Sequence, residues 1–82
     1  MNTYTKEIMN AMHRDEATRN QLHNAEVVAI THYWKHTDRV KFLCGYVRSL
    51  YDHQFYTCEE DREKMNFWEI ADFLITECLK TN

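Results

Sequence analysis

Proline is absent from this chain and glycine occurs once, at Gly45. Tight hairpins rely on Asn-Gly, Asp-Gly or glycine-first turns, so a sheet of hairpin-linked strands is a poor fit. One glycine also cannot build a phosphate-cradling loop, which needs several. No apolar run approaches the roughly 20 residues that a membrane-spanning helix requires. The opening stretch MNTYTKEIMNAM lacks a basic region followed by an apolar one, so it does not read as a signal peptide. Cys44, Cys58 and Cys78 are an odd set with no paired spacing. They read as reduced thiols, two of them on apolar stripes, and the expected compartment is the cytoplasm.

What is present points to an all-α fold. Hydrophobic residues make up 44% and aromatics 13% of 82 residues, which excludes a disordered chain and fits one small domain, 1–82. The core of such a domain is modest, so a partner or a second copy of the chain, as in a homodimer, would add useful burial. The net charge of −3 is uneven: residues 58–82 carry seven acidic and three basic side chains. That mild acidity disfavours a nucleic-acid phosphate surface.

The stretch Thr37–Gln54 organises the pattern. At 3.6 residues per turn Val40, Leu43, Cys44, Val47, Leu50 and Tyr51 share one stripe, which Phe42 and Tyr46 widen. A stripe this wide touches more than one neighbour, which makes this the central helix. Thr37 is its expected cap, and Gly45 falls on its polar side.

Before it, Tyr4, Ile8, Ala11 and Met12, with Met9 at the edge, make a short amphipathic helix behind Thr3 or Thr5. Asp15 is placed to cap a second piece with Leu22 as anchor, and Asn24 is a further cap or an internal residue. Ala25–His36 is apolar around nearly its whole circumference and reads as a helix buried among neighbours or at an interface. A strand is the alternative, because Val, Ile and Thr suit a pleated surface.

Gln54–Cys58 reads as a loop. Thr57 with Glu60 and Asn66 with Glu69 each match a helix-opening pattern, which predicts a short helix ending near Met65. One unbroken helix over Cys58–Lys80 is the alternative. Phe67–Lys80 is strongly patterned, with Phe67, Trp68, Ile70, Ala71, Leu74, Ile75, Cys78 and Leu79 on one half of the wheel. Phe73 falls on the polar half.

No constellation carries a reaction. His32 and His36 stand four apart and would share a helix face, with Cys44, His53 and Cys58 as further donors. There is no His-Glu-x-x-His site, however, so no metal or cofactor is expected. The run Glu59, Glu60, Asp61, Glu63 reads as a solvated face, and no Cys/His pair has a local nucleophile signature. The chain is therefore expected not to be an enzyme. Lys35, Arg39, Lys41 and Arg48 beside Trp34 form a basic set that a helix-turn-helix would turn to a groove. Asp38 and Asp52 interrupt it, and an Arg48–Asp52 pair explains it more simply. The same basic side is also suited to a second copy's acidic C-terminal helix. The expected contact residues for a protein partner are Trp34, Phe42, Arg48 and Phe73, large side chains at the borders of polar faces, with completion of the core as the equal alternative for Trp34 and Phe42.

Over its whole length, from MNTYTKEIMNAMHRDE to ADFLITECLKTN, the chain resembles the T-even phage lysis-inhibition accessory proteins. That resemblance implies a non-enzymatic cytoplasmic protein acting on a holin–antiholin system, through the holin's cytoplasmic segment, to delay lysis. It fixes no functional residue. The alternative in kind is a phage protein that inhibits a host enzyme or a transcription or other nucleic-acid-binding factor.

Overall fold

A computed structural model describes residues 1–81. Five helices follow one another: α1 (Thr3–Arg14), α2 (Glu16–His32), α3 (His36–Gln54), α4 (Glu59–Glu63) and α5 (Phe67–Thr81). No strand occurs among the described residues, so the fold is the all-α bundle of short helices that the periodicity predicts.

The central stripe is buried as read. Val40, Leu43, Val47 and Tyr51 are fully enclosed, with Cys44 and Leu50 nearly so. This face packs most extensively on α5 and next on α2, while α1 closes the bundle against α2 and α5. From α5, Ile70, Ala71 and Ile75 are fully enclosed and Phe67, Leu74 and Cys78 are buried beside them. Trp68 and Leu79 lie at the rim and remain exposed, narrowing the stripe the sequence suggests.

Local caps set several boundaries. Asn2, rather than Thr3 or Thr5, caps α1: its Oδ1 accepts the Thr5 amide at 2.8 Å. Thr5 is instead fully buried, where its hydroxyl donates to the Lys64 carbonyl at 3.2 Å and accepts the Asn66 amide at 3.1 Å. The Asn2 side-chain amide donates to the same carbonyl at 2.7 Å. The start of α1 is thereby tied to the linker before α5. Asp15 ends α1 and caps α2 by accepting the Thr18 amide, as its position predicts. Asn24 is internal to α2.

The Ala25–His36 segment is helical only to His32, where Tyr33 turns extended. Neither Pro nor Gly stops it. Arg39 does so from the next helix, its Nε donating to the Tyr33 carbonyl at 2.6 Å and its Nη2 to Ile30 at 3.3 Å. These guanidinium bonds serve carbonyls that a helix end leaves without partners. The segment is not buried all round either. Small Ala25 and Ala29 face the core, whereas Val27 and Val28 are exposed, because the neighbouring helices cover one side only. Lys35 precedes α3 without a side-chain cap bond, so Thr37 lies inside the helix it was expected to open.

The 57–66 region divides the two opening patterns. Asn66 and Glu69 behave as paired: Asn66 Oδ1 accepts the Glu69 amide at 3.0 Å, and its Nδ2 donates to Glu69 Oε1 at 2.6 Å. Thr57 and Glu60 do not, since Cys58 precedes α4 and the Thr57 hydroxyl donates to Asp61 at 3.1 Å. The break at 64–66 excludes one unbroken helix from Cys58 onward. A Cα radius of gyration of 12.1 Å matches the roughly 12 Å of a compact chain this long.

Candidate functional site

Along α3, at the edge of its packed stripe, three concavities neighbour one another through shared residues. The first, about 410 Å³, is lined by Tyr33, Asp38, Lys41 and Phe42. The second, about 260 Å³ and mostly apolar, lies between α2 and α3 over Gln21, Asn24, Ala25, Val28, Phe42 and Tyr46. The third, about 250 Å³, continues from Tyr46 past Ser49, Leu50, His53 and Gln54. Phe42 lines the first two and Tyr46 the last two, so the three follow one another as a groove that these two side chains interrupt. From Asp38 to His53 it follows α3 for about 22 Å at 1.5 Å per residue.

The groove exists because of residue size and spacing. Ala25 is buried where α2 meets α3, while Val28, one turn on, faces outward. Phe42 and Tyr46 are half-buried, one turn apart on α3. Tyr33, in the linker, packs its ring on Phe42 with centroids 5.8 Å apart. The adjacent Trp34 is 81% exposed, with the Lys35 ammonium 5.5 Å from its ring centroid. Tryptophan is seldom left so bare, because its ring is the largest apolar surface a side chain offers.

The four expected contact residues do not share one surface. Phe42 lines the Tyr33 end of the groove, whereas Trp34 follows Tyr33 in the chain and lines none of the three concavities. Arg48 lines a separate concavity of about 490 Å³ with Asn2, Cys44 and the 63–68 segment. Its guanidinium carbon lies 5.7 Å from the Phe67 ring centroid, and its Nη2 is 3.8 Å from Cys44 Sγ. Phe73 is exposed on α5, beside Glu69, Asp72, Thr76, Glu77 and Lys80.

The expected Arg48–Asp52 pairing is replaced. Asp52 accepts a two-pronged ion pair from Arg62, at 2.8 and 3.1 Å, which holds the Asp52 carboxyl below its usual range. Lys64 and Thr57 do the same for Asp61. In the basic set, Arg39 is committed to the end of α2.

His32 and His36 flank the α2–α3 break and do not share a helix face. His32 Nδ1 lies 3.0 Å from the Val28 carbonyl, and His36 Nε2 lies 2.6 Å from Asp72 Oδ1. His53 is likewise turned to its own helix, 2.9 Å from the Ser49 carbonyl. A different set converges: one donor atom each from His23, Glu26 and Cys78, all within 4.8 Å of one another. Burial raises the Glu26 carboxyl above its ordinary range, against the opposing pull of His23 and His13 and a hydrogen bond with Cys78. Sequence reasoning missed this trio. His23 and Glu26 are three apart and legible as one helix face. The arrival of Cys78 from the far end of the chain is not.

No family model matches the chain, and searches of curated proteins and of solved structures return no match. Among the described residues no helix is long and apolar enough to cross a membrane.

Proposed function

We propose that this chain is a non-enzymatic accessory protein that binds a short amphipathic segment of another protein in the α2–α3 groove. The carrying observation is the groove itself, with half-buried Phe42 and Tyr46 along it, and the bare Trp34 next in the chain to Tyr33 is the further aromatic we assign to the partner. A helix of about 15 residues fits its length, with apolar anchors at i, i+3/i+4 and i+7 covering Val28, Phe42 and Tyr46. Asp38, Lys41 and His53 at the margins suit a partner with a polar outer face. The resemblance to phage lysis-inhibition accessory proteins supplies the particular partner. The segment is then the cytoplasmic end of a holin, and binding stabilises the inhibited membrane complex so that lysis is delayed.

The test uses a synthetic peptide of that holin segment, with titration calorimetry and lysis timing as readouts. Trp34→Ala and Phe42→Ser are expected to weaken binding at least about tenfold each and to shorten the delay, because a lost aromatic anchor costs about 2 kcal/mol or more. Phe73→Ser, on α5 outside this groove, should bind as the parent does. Equal binding by all three variants at unchanged helicity would reject the groove. A folded parent that never binds the holin peptide would reject that partner.

A further inference from the structure

We propose that His23, Glu26 and Cys78 form a Zn²⁺ site that joins α2 to the C-terminal half of α5. The sequence gives no spacing motif for it, and the site stands independently of the groove. Three donors of three kinds, an imidazole nitrogen, a carboxylate oxygen and a thiol sulfur, lie within 4.8 Å of one another. Ligands of a tetrahedral ion with bonds of 2.0–2.3 Å stand about 3.5 Å apart, so closure asks for about 1 Å of side-chain movement. His23 is exposed and can turn without repacking the core.

The setting of Glu26 supports the assignment. Its side chain is buried beside the α2–α5 contact, and among the described residues it makes no salt bridge. A carboxylate withdrawn from water is costly unless a positive group or strong donors compensate it. Here the thiol of Cys78 is its hydrogen-bond partner. A divalent cation between the two would supply the positive charge that no salt bridge brings.

The donor set selects the metal. Thiolate and imidazole suit Zn²⁺, whereas Mg²⁺ and Ca²⁺ require mostly oxygen ligands. Binding exchanges water ligands of the ion for Cys78 Sγ, a His23 ring nitrogen and a Glu26 carboxylate oxygen, and the displaced waters and the Cys78 thiol proton leave to solvent. No electrons are transferred. Three protein ligands leave a fourth position for water, on the exposed side where His23 stands. Another histidine, His13 of α1, is near enough to act on the same carboxylate, but it is not among the donors that stand within 4.8 Å of one another.

Cobalt(II) is the probe, added to the full chain under a non-thiol reductant. The expected result is one equivalent bound, with a sulfur-to-cobalt charge-transfer band and intense tetrahedral d–d bands, all displaced by Zn²⁺. Cys78→Ser should abolish the charge-transfer band, and Cys58→Ser should leave it intact. His23→Ala should weaken cobalt binding at least about tenfold at unchanged helicity. Should Cys78→Ser fail to fold, His23→Ala carries the test, since an exposed side chain is removed. Zn²⁺ should also raise the melting temperature of the parent, and less so that of His23→Ala. No charge-transfer band at one equivalent would overturn the site. So would a band that survives Cys78→Ser and disappears with Cys58→Ser.

Discussion

The two halves of α3 carry aromatic neighbours of similar composition and opposite fate. Near its C-terminal end Tyr51 is fully enclosed, its ring 5.5 Å from Phe67 and 6.5 Å from Tyr56. Its hydroxyl meets that of Tyr4 at 2.9 Å, and burial together with that contact raises its pKa well above the ordinary phenol value. Arg48 and Arg62 each place a guanidinium within 6 Å of the Phe67 ring centroid. At the N-terminal half, Tyr33 packs on Phe42 alone, and Trp34 beside it is bare. The difference lies in what arrives from elsewhere in the chain. At one end α1, α4 and α5 supply hydroxyls, cations and a ring. At the other, the short α2–α3 linker carries the Tyr33 and Trp34 rings on the surface, where they stay exposed.

Breaking the enclosed face of α3, which runs through both halves, should have the largest effect. Leu43→Ala removes a fully enclosed side chain and is expected to cost about 2–5 kcal/mol in chemical unfolding, as is Leu74→Ala on the facing helix. A loss below about 0.5 kcal/mol would contradict the packing described. Thr5→Val should cost less, about 1–3 kcal/mol, because the Asn66 amide and Lys64 carbonyl lose a buried partner. Its signature is specific: amide exchange should quicken around 64–69 more than within α3.

A smaller effect is expected from acid. Arg62 lowers the Asp52 pKa, and the hydroxyl and amide of Thr18 lower that of Asp15. A depressed folded pKa contributes stability that is present above the unfolded value near 3.8 and disappears as pH falls through the folded value. Melting temperature should therefore decline below about pH 4, and Asp52→Asn should flatten part of that decline. An identical acid profile for the variant would show that the Arg62 pair is not felt.

At the open half, stability and binding should separate. Gly45→Ala is expected to stabilise by about 0.5–1 kcal/mol, since an added Cβ meets nothing within 4 Å and glycine is a poor helix interior residue. Trp34→Ala should change unfolding by no more than about 0.5 kcal/mol, because so exposed a ring has little burial to lose. Any larger stability loss would mean that Trp34 belongs to the core after all.

Some of this was settled by the sequence alone. The stripes of Val40–Tyr51 and Phe67–Cys78, the Asp15 cap and the Asn66–Glu69 pair depend on residues within one or two helical turns. Such features follow from helix geometry and local hydrogen bonding, whatever the rest of the chain does. The exposure of Phe73 was legible for the same reason, from its place on the wheel. The tertiary structure decided the rest. It stops α2 at His32 through a guanidinium seven residues on, buries Thr5 against Lys64 and Asn66, and gives Asp52 to Arg62 in place of Arg48. It also parts His32 from His36 and brings Cys78 to His23 and Glu26. These outcomes depend on how whole helices cross, and a side chain's nearest polar partner then comes from sequence positions that no periodicity connects.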